Sequence, residues 1–346
     1  MYVTRSRLAV CSIATRLNHS LLLLLVVCCM SFTGCVVLSY SMVLADTISF
    51  LMDIAVGFTL SREQILVGLT ALVLLPLCLM KDLKSLTPFS ILGTLAMLYT
   101  ALAMSYRYFI RFDQDETDTR ALPLSQTTFV LATWKAMSST NTTLFVSMLS
   151  TAFMGHFNAP QFFWELQNNT MARFNVVSMW GFLGSFALSA IIAVAGFLTF
   201  GATSNGLILN NYDTNDRVMI IARMAVTLSI IGSYPLTFVG FRNGVLDLAQ
   251  ISDTRRRHRL FVPLTVGLLA MVTAISAVVT DLAFVFALNG ATWGTSIIYL
   301  FPCIMLAKLS AKHDDLNPRI MAATLVTGGI GIFLTVVGTT RALRTA

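Results

Sequence analysis

The sequence predicts an all-α polytopic membrane protein, and three observations point there. Of its 346 residues, 56% are hydrophobic and only 11% are charged, too little polar surface for a soluble globule of this size. Apolar stretches of about 20 residues, the helix length that crosses a hydrocarbon core of about 30 Å, recur along the whole chain. The alternating ten-residue pattern of a membrane β-barrel does not.

About nine transmembrane helices can be drawn: 21–44, 65–80, 89–110, 144–167, 176–200, 218–241, 261–279, 282–309 and 321–339. Ahead of the first, Arg5, Arg7 and Arg16 imitate the charged start of a secretory signal. The apolar run then continues to Leu44, about twice the usual signal core, so a retained span is expected. Asp46 is expected to end that span as an interfacial carboxylate. The second span is short and can begin at Ser61.

In the sixth span Arg223 lies near the outer end, where its guanidinium can snorkel toward water. Ser229, Ser233 and Tyr234-Pro235 follow. A serine at membrane depth ordinarily bonds back to its own helix, and the alternative is a hydroxyl lining a solute or ion path. In the eighth span Gly290 and Gly294 stand four apart, on one face, which permits close helix approach. Asn289, Thr292, Thr295 and Ser296 add hydrogen-bonding groups there. Asp281 reads as a turn residue, and Gly328, Gly329 and Gly331 in the last span read as packing positions.

The net charge of +7 is explained by membrane topology. With the N-terminus cytoplasmic and the C-terminus outside, fourteen Lys and Arg fall on the inside and eight on the outside, as the positive-inside bias requires. The polar connection 111–143, with its acidic run 113–118, then lies outside. So does the Asn141-Thr142-Thr143 sequon, which makes Asn141 a glycosylation acceptor. A second sequon at Asn168 falls inside and is expected to be silent. The run Arg255-Arg256-Arg257-His258-Arg259 forms a cytoplasmic basic loop that anchors topology and, secondarily, meets anionic lipid. The lipid bilayer is therefore a partner and nucleic acid is not.

Five of the six cysteines sit in apolar stretches, as small core hydrophobes rather than a disulfide framework, and none shares a metal-ligand spacing with the four histidines. No catalytic set, phosphate loop or cofactor motif is present, so the expectation is no enzyme, no cofactor and no metal. Without a linker or a low-complexity tract, residues 1–346 read as one membrane domain.

The functional signal is Gly155-His156-Phe157-Asn158-Ala159-Pro160, set inside the fourth span. Polar side chains with a Gly and a Pro are costly in hydrocarbon unless the backbone breaks to line a cavity. Transporters build solute sites from such interrupted helices, because the second half-helix offers free N–H groups and a positive dipole to an anionic ligand group. Pro160 suits the first position of that second half, and Asn158 can cap it. The other reading is a span that simply ends at Phe157. His156 is either a pH-sensitive group or a hydrogen-bonding partner of the unwound backbone.

Several segments, in order, resemble the amino acid/auxin permease family, which includes sodium-coupled neutral amino acid transporters and vacuolar amino acid permeases. They are Leu75-Pro76-Leu77-Cys78-Leu79-Met80-Lys81-Asp82-Leu83-Lys84-Ser85-Leu86; the broken segment ending Glu165-Leu166-Gln167; Gly196-Phe197-Leu198-Thr199-Phe200-Gly201; Ser233-Tyr234-Pro235-Leu236; and Gly290-Ala291-Thr292 with Phe301-Pro302. The resemblance runs over about 34–309. It implies a partial inverted-repeat transporter fold of the LeuT/APC type, with this chain's spans matching the family's third to eleventh helices.

Residues 1–18 hold no apolar segment for the first two, so the resemblance leaves open a shortened coding sequence or a shortened, non-transporting protein. It further implies a secondary active transporter of neutral amino acids, in the plasma membrane or a vacuolar or lysosomal membrane, with Na+ or H+ as coupling ion. Substrate would meet Gly155, His156, Phe157, Asn158, Asn289 and Thr292, and the cation Ser233 and Ser229. A non-transporting amino acid sensor is the rival reading. Oligomeric state, the amino acid and the ion are not legible.

Overall fold

The computed structural model describes residues 19–56, 61–80, 87–114, 141–154, 159, 163–164, 166–251, 253–310 and 318–345. Among them every regular element is helical. Among the described residues seven helices are long and apolar enough to cross a membrane, running Ser20–Ile54, Arg62–Leu79, Met171–Phe200, Arg217–Leu248, Arg255–Val278, Leu282–Lys308 and Met321–Arg344. The protein is an all-α polytopic membrane protein.

The first helix, α1 (His19–Val56), has 38 residues and is therefore about 57 Å long at 1.5 Å per residue. That exceeds a bilayer core, so the helix tilts or projects. Asp46 does not end it. The carboxylate lies within the helix and takes a hydrogen bond of 2.8 Å from Arg62 Nε, while Arg62 Nη1 reaches the Ser276 carbonyl at 2.8 Å. Hydropathy reads a lone carboxylate as a boundary; a basic partner on the next helix lets the helix run on through it.

That next helix, α2 (Arg62–Leu79), starts where Ser61 caps it. The Ser61 hydroxyl accepts from the Gln64 amide while the Gln64 side chain accepts from the Ser61 amide, a capping box that satisfies two otherwise orphaned donors. The helix widens to π geometry over Thr70–Leu74. There follow α3 (Thr87–Gln114), α4 (Asn141–Ala152), α5 (Met171–Phe200), α6 (Arg217–Leu248), α7 (Thr254–Val278), the composite α8 and finally α9 (Pro318–Thr345). In α8, the α-helical pieces Leu282–Asn289 and Phe301–Ser310 flank π segments at Gly290–Gly294 and Ser296–Leu300. Asp281 caps α8 through the Phe284 amide at 3.0 Å.

The helices α1 and α6 form the centre. Gly244 of α6 lies so close to Met30 of α1 that a Cβ there would stand 2.8 Å from the methionine Cβ; only a bare Cα permits that approach. Around this crossing, Val37, Leu44, Leu74, Tyr234, Phe238 and Leu269 make one apolar cluster with α2 and α7. Met104, Ala195, Tyr212 and Met219 tie α3 and α5 to the first turns of α6. Phe32, Ile297 and Phe301 join α1 to α8. In contrast, α5 is apolar on all sides and mostly turned outward, with Trp180, Phe182 and Phe186 exposed as a lipid-facing surface requires.

Arg223 departs from its expected snorkelling position. It is 2% exposed, with its guanidinium over the Phe50 ring at 3.5 Å. Its Nη2 donates to the carbonyls of Leu209 at 2.5 Å and Tyr212 at 3.3 Å. Residues 201–216 fold back in short 3-10 turns at Gly201–Thr203 and Ile208–Asn211, bringing those carbonyls to the end of α6. The charge is met from within the protein instead of by water.

Candidate substrate cavity

The helix α4 closes at Ala152. The Phe153 amide still bonds to the Leu149 carbonyl at 3.2 Å, and the Met154 amide tightens onto Thr151 at 3.2 Å, a three-residue step that winds the helix down. Met154 itself is no longer helical. Gly155, His156, Phe157 and Asn158, expected to bind substrate, lie outside the described residues, as do Pro160 and the proposed second helical start.

A cavity of about 380 Å³ opens at this helix end. Four elements wall it: α1 through Thr33, Val36 and Tyr40, α4 through Thr151, with Met154 just beyond its end, α6 through Thr237 and Gly240, and α8 through Phe286. The size falls within the roughly 300–1,000 Å³ of small-molecule sites. The wall is largely apolar, and its polar atoms are mostly hydroxyls.

The three threonine hydroxyls share a property. Thr33 donates to the Cys29 carbonyl at 2.9 Å, Thr151 to Ser147 at 3.1 Å and Thr237 to Ser233 at 3.4 Å. With the proton spent on the helix, each oxygen retains acceptor capacity. Three acceptor hydroxyls beside a helix C-terminus, the negative end of its dipole, favour a cationic group such as an ammonium or a metal cation.

None of the remaining described residues predicted from the sequence is on the wall of this cavity. Ser233 donates to the Ser229 carbonyl at 2.9 Å, one turn before Thr237. Ser229 packs toward α3, its Oγ 2.8 Å from where a Cβ of Gly93 would be. Thr292 donates to the Leu288 carbonyl at 2.6 Å. Asn141 is the first residue of α4.

Gly290 and Gly294 make the close approach expected of them. A Cβ on Gly290 would stand 2.6 Å from the Ser147 carbonyl oxygen and 2.7 Å from the Thr151 hydroxyl, so α8 presses directly on α4. One residue earlier, Asn289 is 1% exposed, and neither its amide nitrogen nor its amide oxygen has a hydrogen-bond partner among the described residues.

The cavity residues Thr33, Tyr40, Thr151 and Thr237 escaped the sequence reading. Thr33, Val36 and Tyr40 do carry a signal, being spaced three and four apart on one face of α1. The other walls come from distant segments that only the fold brings together. Among the described residues no group of His, Cys, Asp and Glu could hold a metal ion, and Cys28, Cys29, Cys35, Cys78 and Cys303 are free thiols.

The chain is 25% identical over 302 residues to "Putative sodium-coupled neutral amino acid transporter 11" of Danio rerio, covering 86% of this chain and 64% of that protein. It is 23% identical over 307 residues to vacuolar amino acid transporter 2 of Saccharomyces cerevisiae, covering 84% and 61%. To solute carrier family 38 member 8 of Homo sapiens it is 26% identical over 276 residues, covering 77% and 60%. It thus spans about three fifths of the length of these curated relatives. The family is one of transporters, not of enzymes, and its description as transmembrane amino acid transporter protein matches residues 12–342. With that match across nearly the whole sequence, this multi-pass integral membrane chain belongs to the transmembrane amino acid transporter family.

Proposed function

We propose that the protein moves neutral amino acids across a membrane by secondary active transport, coupled to sodium. The observation that carries this reading is the hydroxyl-lined cavity at the end of α4, in a chain of this family. Its dimensions suit a small zwitterion. The three acceptor threonines and the α4 C-terminus receive the ammonium or the coupling cation. The backbone of Gly155, His156, Phe157 and Asn158, next in the chain after Met154, receives the carboxylate. Asn289 supplies a further amide to the solute or to its water, with Thr292 one turn on, and Ser233 and Ser229 hold the cation side of α6.

No covalent step is involved; transport consists of exposing the cavity alternately to the two sides. Sodium is favoured over protons because hydroxyl and carbonyl oxygens can coordinate it, and because two relatives are described as sodium-coupled or grouped with solute carrier family 38. The residence is a plasma membrane or a vacuolar or lysosomal membrane.

The test is uptake of radiolabelled alanine and glutamine into proteoliposomes holding the protein from its full reading frame. An inward sodium gradient is expected to drive accumulation that collapses with gramicidin. Accumulation under a proton gradient alone would replace sodium by protons. Failure of both gradients, with a family relative active in parallel, would overturn the transport reading.

A further inference from the structure

Further along α6, within a turn or two of Gly240, there is a second cavity, of about 620 Å³, between the close of that helix and the opening turns of α7. Its chemistry is one-sided. Arg242 lines it from α6, and Arg255, Arg257, His258 and Arg259 line it from α7; no carboxylate is among its described lining residues.

Two of these arginines are already engaged. Arg242 is buried, donates to the Cys78 carbonyl at 3.2 Å and the Thr265 hydroxyl at 3.0 Å, and lies over Phe261 at 4.1 Å. Arg257 donates to the Ile251 carbonyl at 2.6 Å and pairs with Asp247. Arg255, His258 and Arg259 are different. They are exposed, and none of the three side chains has an ion-pair partner among the described residues. At spacings of three and four they share one face of α7, where like charges repel unless an anion is shared.

The other part of the wall is apolar, through Leu246 and Phe261, and Leu260 and Val262 are exposed beside it. A basic rim over an apolar wall, where a helix enters the membrane, fits an amphiphile with a phosphate headgroup better than it fits a free anion. Arginine forks supply the bidentate geometry that phosphate oxygens accept.

We propose that this cavity binds the phosphorylated headgroup of an anionic membrane lipid, held by Arg255, His258 and Arg259 with its glycerol and acyl region against Leu246 and Phe261. The site is separate from the substrate cavity, although α6 borders both. Arg256 distinguishes it from general attraction to a charged surface, because Arg256 belongs to the same basic run and is exposed but does not line the cavity.

The experiment uses the full chain in phosphatidylcholine nanodiscs, titrated with a fluorescent phosphatidylinositol 4,5-bisphosphate. Saturable binding is expected. R255Q and R259Q should each weaken it about fivefold or more, the effect of one basic contact at a membrane surface, and R256Q less than twofold. All three residues are exposed, so thermal midpoints should match the unmodified protein. Equal losses in R256Q and R259Q would overturn the proposal in favour of surface charge alone. Binding of soluble inositol trisphosphate or inorganic phosphate as tight as that of the lipid would overturn it in favour of a free anion. An absence of saturation would overturn it outright.

Discussion

Arg223 in α6 and Asn289 in α8 are both polar side chains sealed from solvent, at 2% and 1% exposure. Arg223 has been given partners: two backbone carbonyls and an aromatic face, although its buried Nε has none among the described residues. Asn289 has none among the described residues. An unmet buried amide costs roughly 1–3 kcal/mol, and the surroundings of Asn289 are otherwise tightly packed, with Gly290 against α4. The difference separates two uses of polarity at membrane depth. A satisfied group holds helices to loops, whereas an unsatisfied one has bonding capacity to spare for a solute or water, the role proposed above for Asn289.

The largest test of that contrast is on the satisfied side. Arg223→Met removes the donor to Leu209 and Tyr212 and releases the 201–216 fold from α6. The expected cost is about 2–4 kcal/mol, read by SDS-driven unfolding in mixed micelles. Stability unchanged within 1 kcal/mol would mean that water already serves those carbonyls and that the sealing of Arg223 has no structural weight.

Next in size is the contact beside Asn289. In Gly290→Val the new Cβ meets backbone and hydroxyl of α4 at 2.6–2.7 Å, which overpacking values put at about 1–3 kcal/mol. Since Thr151 also lines the cavity, uptake should fall along with stability. Gly329→Val is the internal control: nothing lies within 4 Å of its Cβ position, and it should change stability by less than about 0.5 kcal/mol. Equal effects at the two glycines would dissolve the argument for a close α4–α8 seam.

Asn289→Leu carries the opposite sign. Replacing the unpaired amide by an apolar side chain of similar shape should leave stability unchanged or raise it by about 1 kcal/mol, while amino acid uptake falls tenfold or more. A variant that is stable and fully active would show that Asn289 serves neither solute nor water. Loss of both stability and uptake would place it among structural groups like Arg223.

The sequence carried the membrane class, most span positions and one helix start, because burial in lipid and local capping are written in neighbouring residues. Ser61 with Gln64 three residues on is such a local signal. Arg223 was misread because its partners, Leu209 and Tyr212, belong to a polar loop with no periodicity. The end of α1 was misread because Asp46 looks like a boundary until Arg62 is folded against it. The cavity was only half legible: α4 closes just before the Gly, Asn and Pro that stand out in an apolar run, but Thr33, Tyr40, Thr151 and Thr237 are ordinary span residues until four helices converge on them.

The Arg62–Asp46 pair supplies the smallest effect and the limit of the contrast. Its side chains are 24% and 32% exposed, so water competes for both charges and the pair should be worth at most about 1 kcal/mol. Asp46→Asn keeps an acceptor for Arg62 Nε, and Arg62 Nη1 keeps the Ser276 carbonyl. The expected loss is therefore below 1 kcal/mol, shrinking further as salt is raised from 0.05 to 0.5 M. A loss as large as that of Arg223→Met, insensitive to salt, would show that the pair is shielded from water in the bilayer and that Asp46 belongs with the buried, partnered groups holding α1 to α2.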